Sequence, residues 1–174
     1  MNDLGTADRQ WAVLEALATA SRGLRFWLSG GWALDFHCGR VTRRHSDIDV
    51  IVHEDDRGRF WEALRASGMC RGSVRSSGVV DTVRCGGVEV EVTYVYAQGD
   101  MIVTRGVEHW PWPEGSLDDP PRRFQELEIG VVSVAGLLEM KTRYEEFFDV
   151  PMRVQDDLDA QLLMDLGEPD RRDP

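Results

Sequence analysis

The 174-residue chain carries 31 acidic against 20 basic side chains, a formal net charge of −11 that weighs against a nucleic-acid partner and suits a cationic small molecule. A hydrophobic content of 42% is ordinary for a globular protein, enough for one domain or a core with a small helical annex. No apolar run approaches the roughly 20 residues of a membrane helix, and MNDLGTADRQW lacks the basic-then-apolar pattern of a signal peptide, so no membrane partner and a cytoplasmic location are expected.

In chain order, Trp11, Val13, Leu14, Leu17 and Ala18 recur at helical spacing over residues 8–22, with Gly23 as a stop. Arg25–Leu28 reads as a short strand, broken by Gly30-Gly31, and Trp32–Cys38 as a helix ended by Gly39. Asp47–Val52 is an Ile- and Val-rich strand. Asp55 or Asp56 is placed to cap a helix running to Ser67, with Phe60, Trp61 and Leu64 inward. Val79–Arg84 and Val88–Tyr96 flank Cys85-Gly86-Gly87 as a hairpin, and Met101–Arg105 reads as a further strand. Prolines across 106–123 predict an irregular surface loop. Ile129–Val134 reads as a strand. Ser133 is placed to cap a helix to Phe148 with Leu137, Leu138, Tyr144 and Phe148 inward. Pro151 forces a break, Asp156–Leu166 reads as a helix with Leu158, Leu162 and Leu166 on one stripe, and Gly167–Pro174 as a polar tail. Three widely spaced cysteines, Cys38, Cys70 and Cys85, match no zinc or CxxC pattern and read as free thiols. The four histidines, His37, His45, His53 and His109, have no metal-ligand spacing either.

The chemistry concentrates between Ser29 and Val52. Asp47 and Asp49, at i and i+2 of a strand, point to one face about 6.6 Å apart. Such a pair suits two oxygen-ligated divalent cations bridged by phosphate oxygens. A Gly-Gly turn opening a helix lets backbone N–H groups approach a phosphate chain. Together they point to a metal-dependent enzyme acting on a nucleoside triphosphate.

The run GGWALDFHCGRVTRRHSDIDV resembles the signature of the polymerase-β-like nucleotidyltransferase superfamily, and within it the small aminoglycoside (2″-type) and lincosamide nucleotidyltransferases. VVSVAGLLEMKTRYEEF and DDLDAQLL are similar to that branch too. The resemblance implies an α/β fold with a mixed sheet and C-terminal helices. It also implies a nucleotidyltransferase core over 1–110 and a loop and helical part over 111–174 that closes the cleft. It assigns Asp47 and Asp49 to two Mg²⁺ ions, and Ser29, Gly30 and Gly31 to the triphosphate of ATP or another NTP. Arg44 and Ser46 would lie at the phosphates, whereas Arg40 and Arg43 read as solvated surface charge.

The superfamily needs a third carboxylate that shares a metal and takes the acceptor's proton. GGVEVEVTYV offers Glu89 and Glu91, both facing away from Val88, Val90 and Val92. The branch usually has Asp here, so the longer Glu is a departure. Aligning the strand's end favours Glu91 as base and metal ligand; counting from Asp49 favours Glu89, and Glu91 is chosen. The other glutamate is left for a cationic acceptor or a solvated face. The chain's single lysine, Lys141, corresponds to one that approaches the β- and γ-phosphates in related enzymes. Tyr94, Trp110 and Trp112 are candidate walls for the acceptor.

The expected reaction is transfer of AMP, or another NMP, to a hydroxyl of a small molecule, an aminoglycoside first and a lincosamide second, by a monomer or homodimer. Two rivals stand beside it: a toxin-type transferase acting on tRNA or protein, and a non-catalytic nucleotide-binding domain.

Overall fold

A computed structural model describes residues 6–70, 72–148 and 151–167. The expected polar tail and the inward face of Phe148 lie outside the described residues or side chains. Helix α1 (Thr6–Ala20) buries Val13, Leu14 and Leu17 completely, as its spacing requires. Strand β1 (Phe26–Leu28) leads through Ser29 into α2 (Gly30–Cys38), which ends on left-handed Gly39. Strand β2 (Asp47–His53) passes through a short 3-10 turn, Glu54–Asp56, into α3 (Arg57–Ala66). Asp56 stands at the N-cap position of α3 but does not cap it; its Oδ2 accepts from the N–H and Nε of Arg25 instead, at 3.1 and 2.8 Å.

Four strands follow: β3 (Arg75–Ser76), β4 (Val80–Cys85), the long β5 (Val88–Gln98) and β6 (Met101–Thr104). The β4–β5 turn puts Gly86 and Gly87 at φ 55° and 86°, the left-handed pair that a two-residue hairpin demands. The span expected to be a loop instead holds β7 (Val107–Pro111), paired with β6. Among the described residues only β6 flanks it, so Pro111 withholds no needed ladder donor. A small second sheet joins β8 (Arg122–Phe124) to β9 (Leu127–Ile129), with Gln125 at positive φ in the turn. The strand expected over Ile129–Val134 shrinks to the end of β9 and a single bridge, Leu28 to Val131. Helices α4 (Val134–Phe148) and α5 (Val154–Gly167) close the chain. Ser133 caps α4, its Oγ accepting from the N–H of Gly136 at 3.2 Å.

The main sheet runs β1-β2-β5-β4-β3, with β6 and β7 continuing from the far end of β5. β2 and β5 are parallel and the remaining pairs antiparallel, so the fold is a mixed α/β sheet carrying C-terminal helices. One sheet face is core: Ile48, Val50, Val52, Val90 and Val92 are essentially inaccessible, against α1 and α3. The opposite face is left for chemistry.

Three more expectations need correction. Tyr144, expected inward on α4, is 40% exposed. Cys70 and Cys85 meet across an antiparallel bridge and are joined as a disulfide, leaving Cys38 as the free thiol among them. On α5 the expected leucine stripe is split: Leu158 is 64% and Leu166 42% exposed, Leu162 is partly buried against the core, and Asp156, Asp159, Ala160 and Leu163 turn inward. Ion pairs described below hold it that way round. Among the described residues no helix is long and apolar enough to cross a membrane.

Candidate active site

The register of β2 on β5 decides which carboxylates meet. Asp47 pairs with Glu89 and Asp49 with Glu91, all on the non-core face. Ser29 follows β1 directly, and its N–H donates to the carbonyl of Asp49 at 2.9 Å. The Gly-Gly turn is thereby pinned to the strand that carries the acids. Gly30 has φ 60°, and any Cβ there would collide with the Asp49 carboxylate. A Cβ on Gly31 would fall 2.6 Å from Arg43 Nη2. The Ser29 side chain makes no capping bond, so the first N–H groups of α2 face the cleft uncapped by it.

Burial and the crowding of like charge raise the proton affinity of Asp49 and Glu91. Burial, then the neighbouring charges of Asp47 and Glu91, push the Asp49 carboxyl up to about 7, with Lys141 and Arg153 easing it. Glu91 is also raised, by burial and then by Asp47 and Glu89. Among the described residues no three His, Cys, Asp or Glu side chains converge as a preformed cation cage. The site fits hard divalent cations through its donors: carboxylate oxygens on adjacent strands whose mutual repulsion a cation would relieve.

Facing these acids is a cluster of cations braced from α5. Lys141 Nζ lies 2.7 Å from Asp156 Oδ1 and 3.0 Å from Asp159 Oδ2. Arg153 Nε lies 2.8 Å from Asp156 Oδ2. Arg43 grips Asp159 with Nε and Nη2, at 3.0 and 2.8 Å. Burial alone would raise Asp156, but hydrogen bonds from Arg153 and Lys141 hold it at about 2. Behind Arg43 lies a buried pair, His45 Nε2 to Asp35 Oδ2 at 2.5 Å. His45 Nδ1 faces Arg43 Nη1 at 3.0 Å and so accepts, which leaves Nε2 to donate to Asp35.

Arg43, His45, Lys141, Arg153 and Asp156 line a cleft of about 570 Å³ together with Ser29, Gly30, Gly31, Asp47, Asp49 and Glu91. Ser46 lines it and donates to Asp47 at 2.8 Å. The cleft continues along the strands past Ile51 and Thr93 to Trp110 and Trp112. There Trp110 Nε1 donates to Glu139 at 3.1 Å and Trp112 Nε1 to Thr104 at 3.0 Å.

Three expected residues fall elsewhere. Arg44 is exposed and does not line the cleft; Arg43, read as surface charge, does. Tyr94 belongs to the core face, is inaccessible, accepts from Trp61 and donates to Asp81, both at 2.8 Å, and walls no ligand site. Glu89 shares the face of Glu91 but lies outside the cleft, drawn to Arg75 at 3.0 Å. Reading the sequence also missed Arg153, Asp156, Asp159 and the Asp35–His45 pair. For the first three, the available signal was the acidic i, i+3 spacing of 156 and 159 opposite a basic loop.

A family described as aminoglycoside-2″-adenylyltransferase matches residues 11–137. Proteins named 2″-aminoglycoside nucleotidyltransferase from Escherichia coli and Klebsiella pneumoniae are each 49% identical over 43 residues, 25% of this chain and 24% of theirs. The chain thus aligns with about a quarter of those relatives' length. Its fold is similar to the crystal structure of ANT(2″)-Ia in complex with adenylyl-2″-tobramycin, with TM-score 0.71, 22% identity and 93% and 91% of the two chains covered. It is also similar to the lincomycin-bound lincosamide adenylyltransferase LnuA, with TM-score 0.66, 15% identity and 92% and 98% covered.

Proposed function

The chain belongs to the aminoglycoside-2″-adenylyltransferase family, and from that premise we propose that it transfers AMP, or another NMP, from an NTP to a hydroxyl of an aminoglycoside-type acceptor. The observation that carries the reading is the juxtaposition of Gly30, Asp49 and Glu91: a left-handed glycine turn packed on a carboxylate that pairs across the sheet with a second one.

In this reading Ser29, Gly30 and Gly31 receive the triphosphate through backbone N–H groups, helped by the dipole of α2. Asp47, Asp49 and Glu91 would hold two Mg²⁺ ions. Bound there, Mg²⁺ supplies charge neutralisation for the α-phosphate and the departing pyrophosphate. Glu91, raised by burial and by its acidic neighbours, takes the acceptor hydroxyl's proton. The acceptor oxygen bonds the α-phosphorus as the bond to the bridging oxygen breaks and pyrophosphate leaves. Lys141 and Arg153 balance charge across the cleft. Trp110 and Trp112 form an acceptor wall, and the part from 111 onward closes the cleft. Such an enzyme works in the cytoplasm, where its NTP is.

A lincosamide acceptor is the second reading, favoured by the apolar far end of the cleft, where Val79, Val80, Val107, Trp110 and Trp112 gather. Pyrophosphate release with Mg-ATP against panels of both drug classes, with product masses, tests both readings. One adenylyl group added to an aminoglycoside is the expected outcome; addition to a lincosamide alone selects the second. Silence with both classes sinks the acceptor assignment.

A further inference from the structure

We propose that Asp159, which lies outside the cleft, is a positioning residue that holds Lys141 in place for the phosphates of the nucleotide. The inference rests on the nucleotidyltransferase reading above, and it adds a residue that the reading leaves unassigned.

Asp159 is a carboxylate only 1% exposed and belongs to no part of the cleft wall. A buried carboxylate is costly unless it is paired. Here it is paired twice, with cations from two other elements: the guanidinium of Arg43, in the loop before β2, and the ammonium of Lys141, on α4. Among the described residues, every N–H of Arg43 already has a partner. Its Nε and Nη2 hold Asp159, its Nη1 reaches the carbonyl of Arg44 and His45 Nδ1, and the Gln155 amide, turned so that its oxygen faces the guanidinium, accepts from both Nη atoms at 2.9 Å. Arg43 is therefore a brace, locked from behind by His45 on Asp35.

Lys141 differs. An ammonium has three N–H groups, and among the described residues two meet Asp156 and Asp159. The third is left for a ligand in the cleft that Lys141 lines beside Ser29 and Gly30. Long lysine stems are mobile, and holding the head between two carboxylates removes that freedom before the ligand arrives. Asp156 sits in the cleft and also pairs with Arg153; Asp159 is the member that fastens the lysine to the loop preceding the metal strand.

The test is a double-mutant cycle on nucleotide binding, with no acceptor present. Affinities for Mg-ATP and for pyrophosphate are measured by calorimetry in the wild type, Asp159→Asn, Lys141→Ala and the double variant, with melting temperatures alongside. Asp159→Asn is expected to weaken Mg-ATP about tenfold, and to add less than about twofold once Lys141 is gone. Equal weakening in both backgrounds, or none in a folded Asp159→Asn protein, overturns the proposal. If Asp159→Asn does not fold, Lys141→Met carries the test: unchanged Mg-ATP affinity in that variant overturns it. A wild type that binds neither Mg-ATP nor pyrophosphate defeats the nucleotidyltransferase reading itself, a result distinct from the others.

Discussion

Gly30 stands so close to Asp49 that the glycine has no room for a side chain: a Cβ would enter the space of the carboxylate. The contact couples the two halves of the site. The Ser29 N–H on the Asp49 carbonyl fixes the backbones, and the missing Cβ lets the acid lie against the turn. Gly30→Ala therefore meets two penalties, a left-handed φ that costs an L-residue about 1 kcal/mol and displacement of Asp49. Activity should fall about 100-fold or more, with a melting temperature only a few degrees lower. Steady-state pyrophosphate release and thermal unfolding of the same preparation check this. A near-native rate would show that the turn and the acid do not act together.

Glu91 and Glu89 can be separated by the same assay. Glu91 lies beside Asp49 and lines the cleft; Glu89 lies beside Asp47 but is turned to Arg75 and, at 3.8 Å, Arg84. Glu91→Gln should lower kcat by about 100-fold or more, the usual worth of a general base. Glu89→Gln, which trims an exposed ion pair, should stay within about threefold. The reverse ranking would move the base to Glu89.

Why these residues were legible in the sequence, and others not, follows from what carries each signal. The shared face of Asp47, Asp49 and Glu91 was readable because strand alternation fixes a side chain's face from its own segment. Alternation also placed Glu89 on that face, but only the tertiary neighbour Arg75 draws it out of the cleft. Tyr94 shows a parity missed: it continues the even series of Val88, Val90 and Val92 into the core, so it was never a cleft residue. Helix α5 resisted altogether. Its leucines form the better apolar stripe, but Lys141, Arg43 and Arg153 draw Asp156 and Asp159 inward. Those cations lie 15, 116 and 3 residues from their closest acidic partners in sequence. Two of the three separations are invisible to a local pattern, and with them the choice between Arg43 and Arg44. The strand β7 was hidden by its prolines, which an edge position tolerates.

Tyr94 supports the fold and not the site. Its hydroxyl bridges Trp61 and Asp81, and Arg57 and Arg105 cover its ring at 4.5 and 4.6 Å. Among the described residues, Oδ1 of Asp81 already makes no hydrogen bond in this buried spot. Tyr94→Phe would leave the Trp61 N–H without its acceptor and Asp81 without one donor. A loss of about 1–3 kcal/mol is expected, as for other unsatisfied buried polar groups. Urea unfolding should show that loss while kcat and the acceptor KM remain within about twofold. A large change in acceptor KM with stability intact would return Tyr94 to the acceptor site.

Asp49 should make cation binding depend on pH. Its carboxyl is raised to about 7, first by burial and then by Asp47 and Glu91, against about 3.9 in an unfolded chain. Between those values the folded protein keeps a proton that the unfolded chain has released. The unfolded state therefore binds fewer protons, and stability without metal falls as pH rises from about 4 to about 7. Below about 4 both states are protonated and above about 7 both are ionised, so this contribution is flat on either side. A divalent cation requires the ionised form, so Mg²⁺ binding at pH 6 should release a proton and at pH 8.5 almost none. Calorimetry in buffers of different ionisation enthalpy reads that proton count, and Asp49→Asn should abolish its change with pH. Equal proton release at both pH values, or a change that survives in Asp49→Asn, would mean that another group governs the cation site.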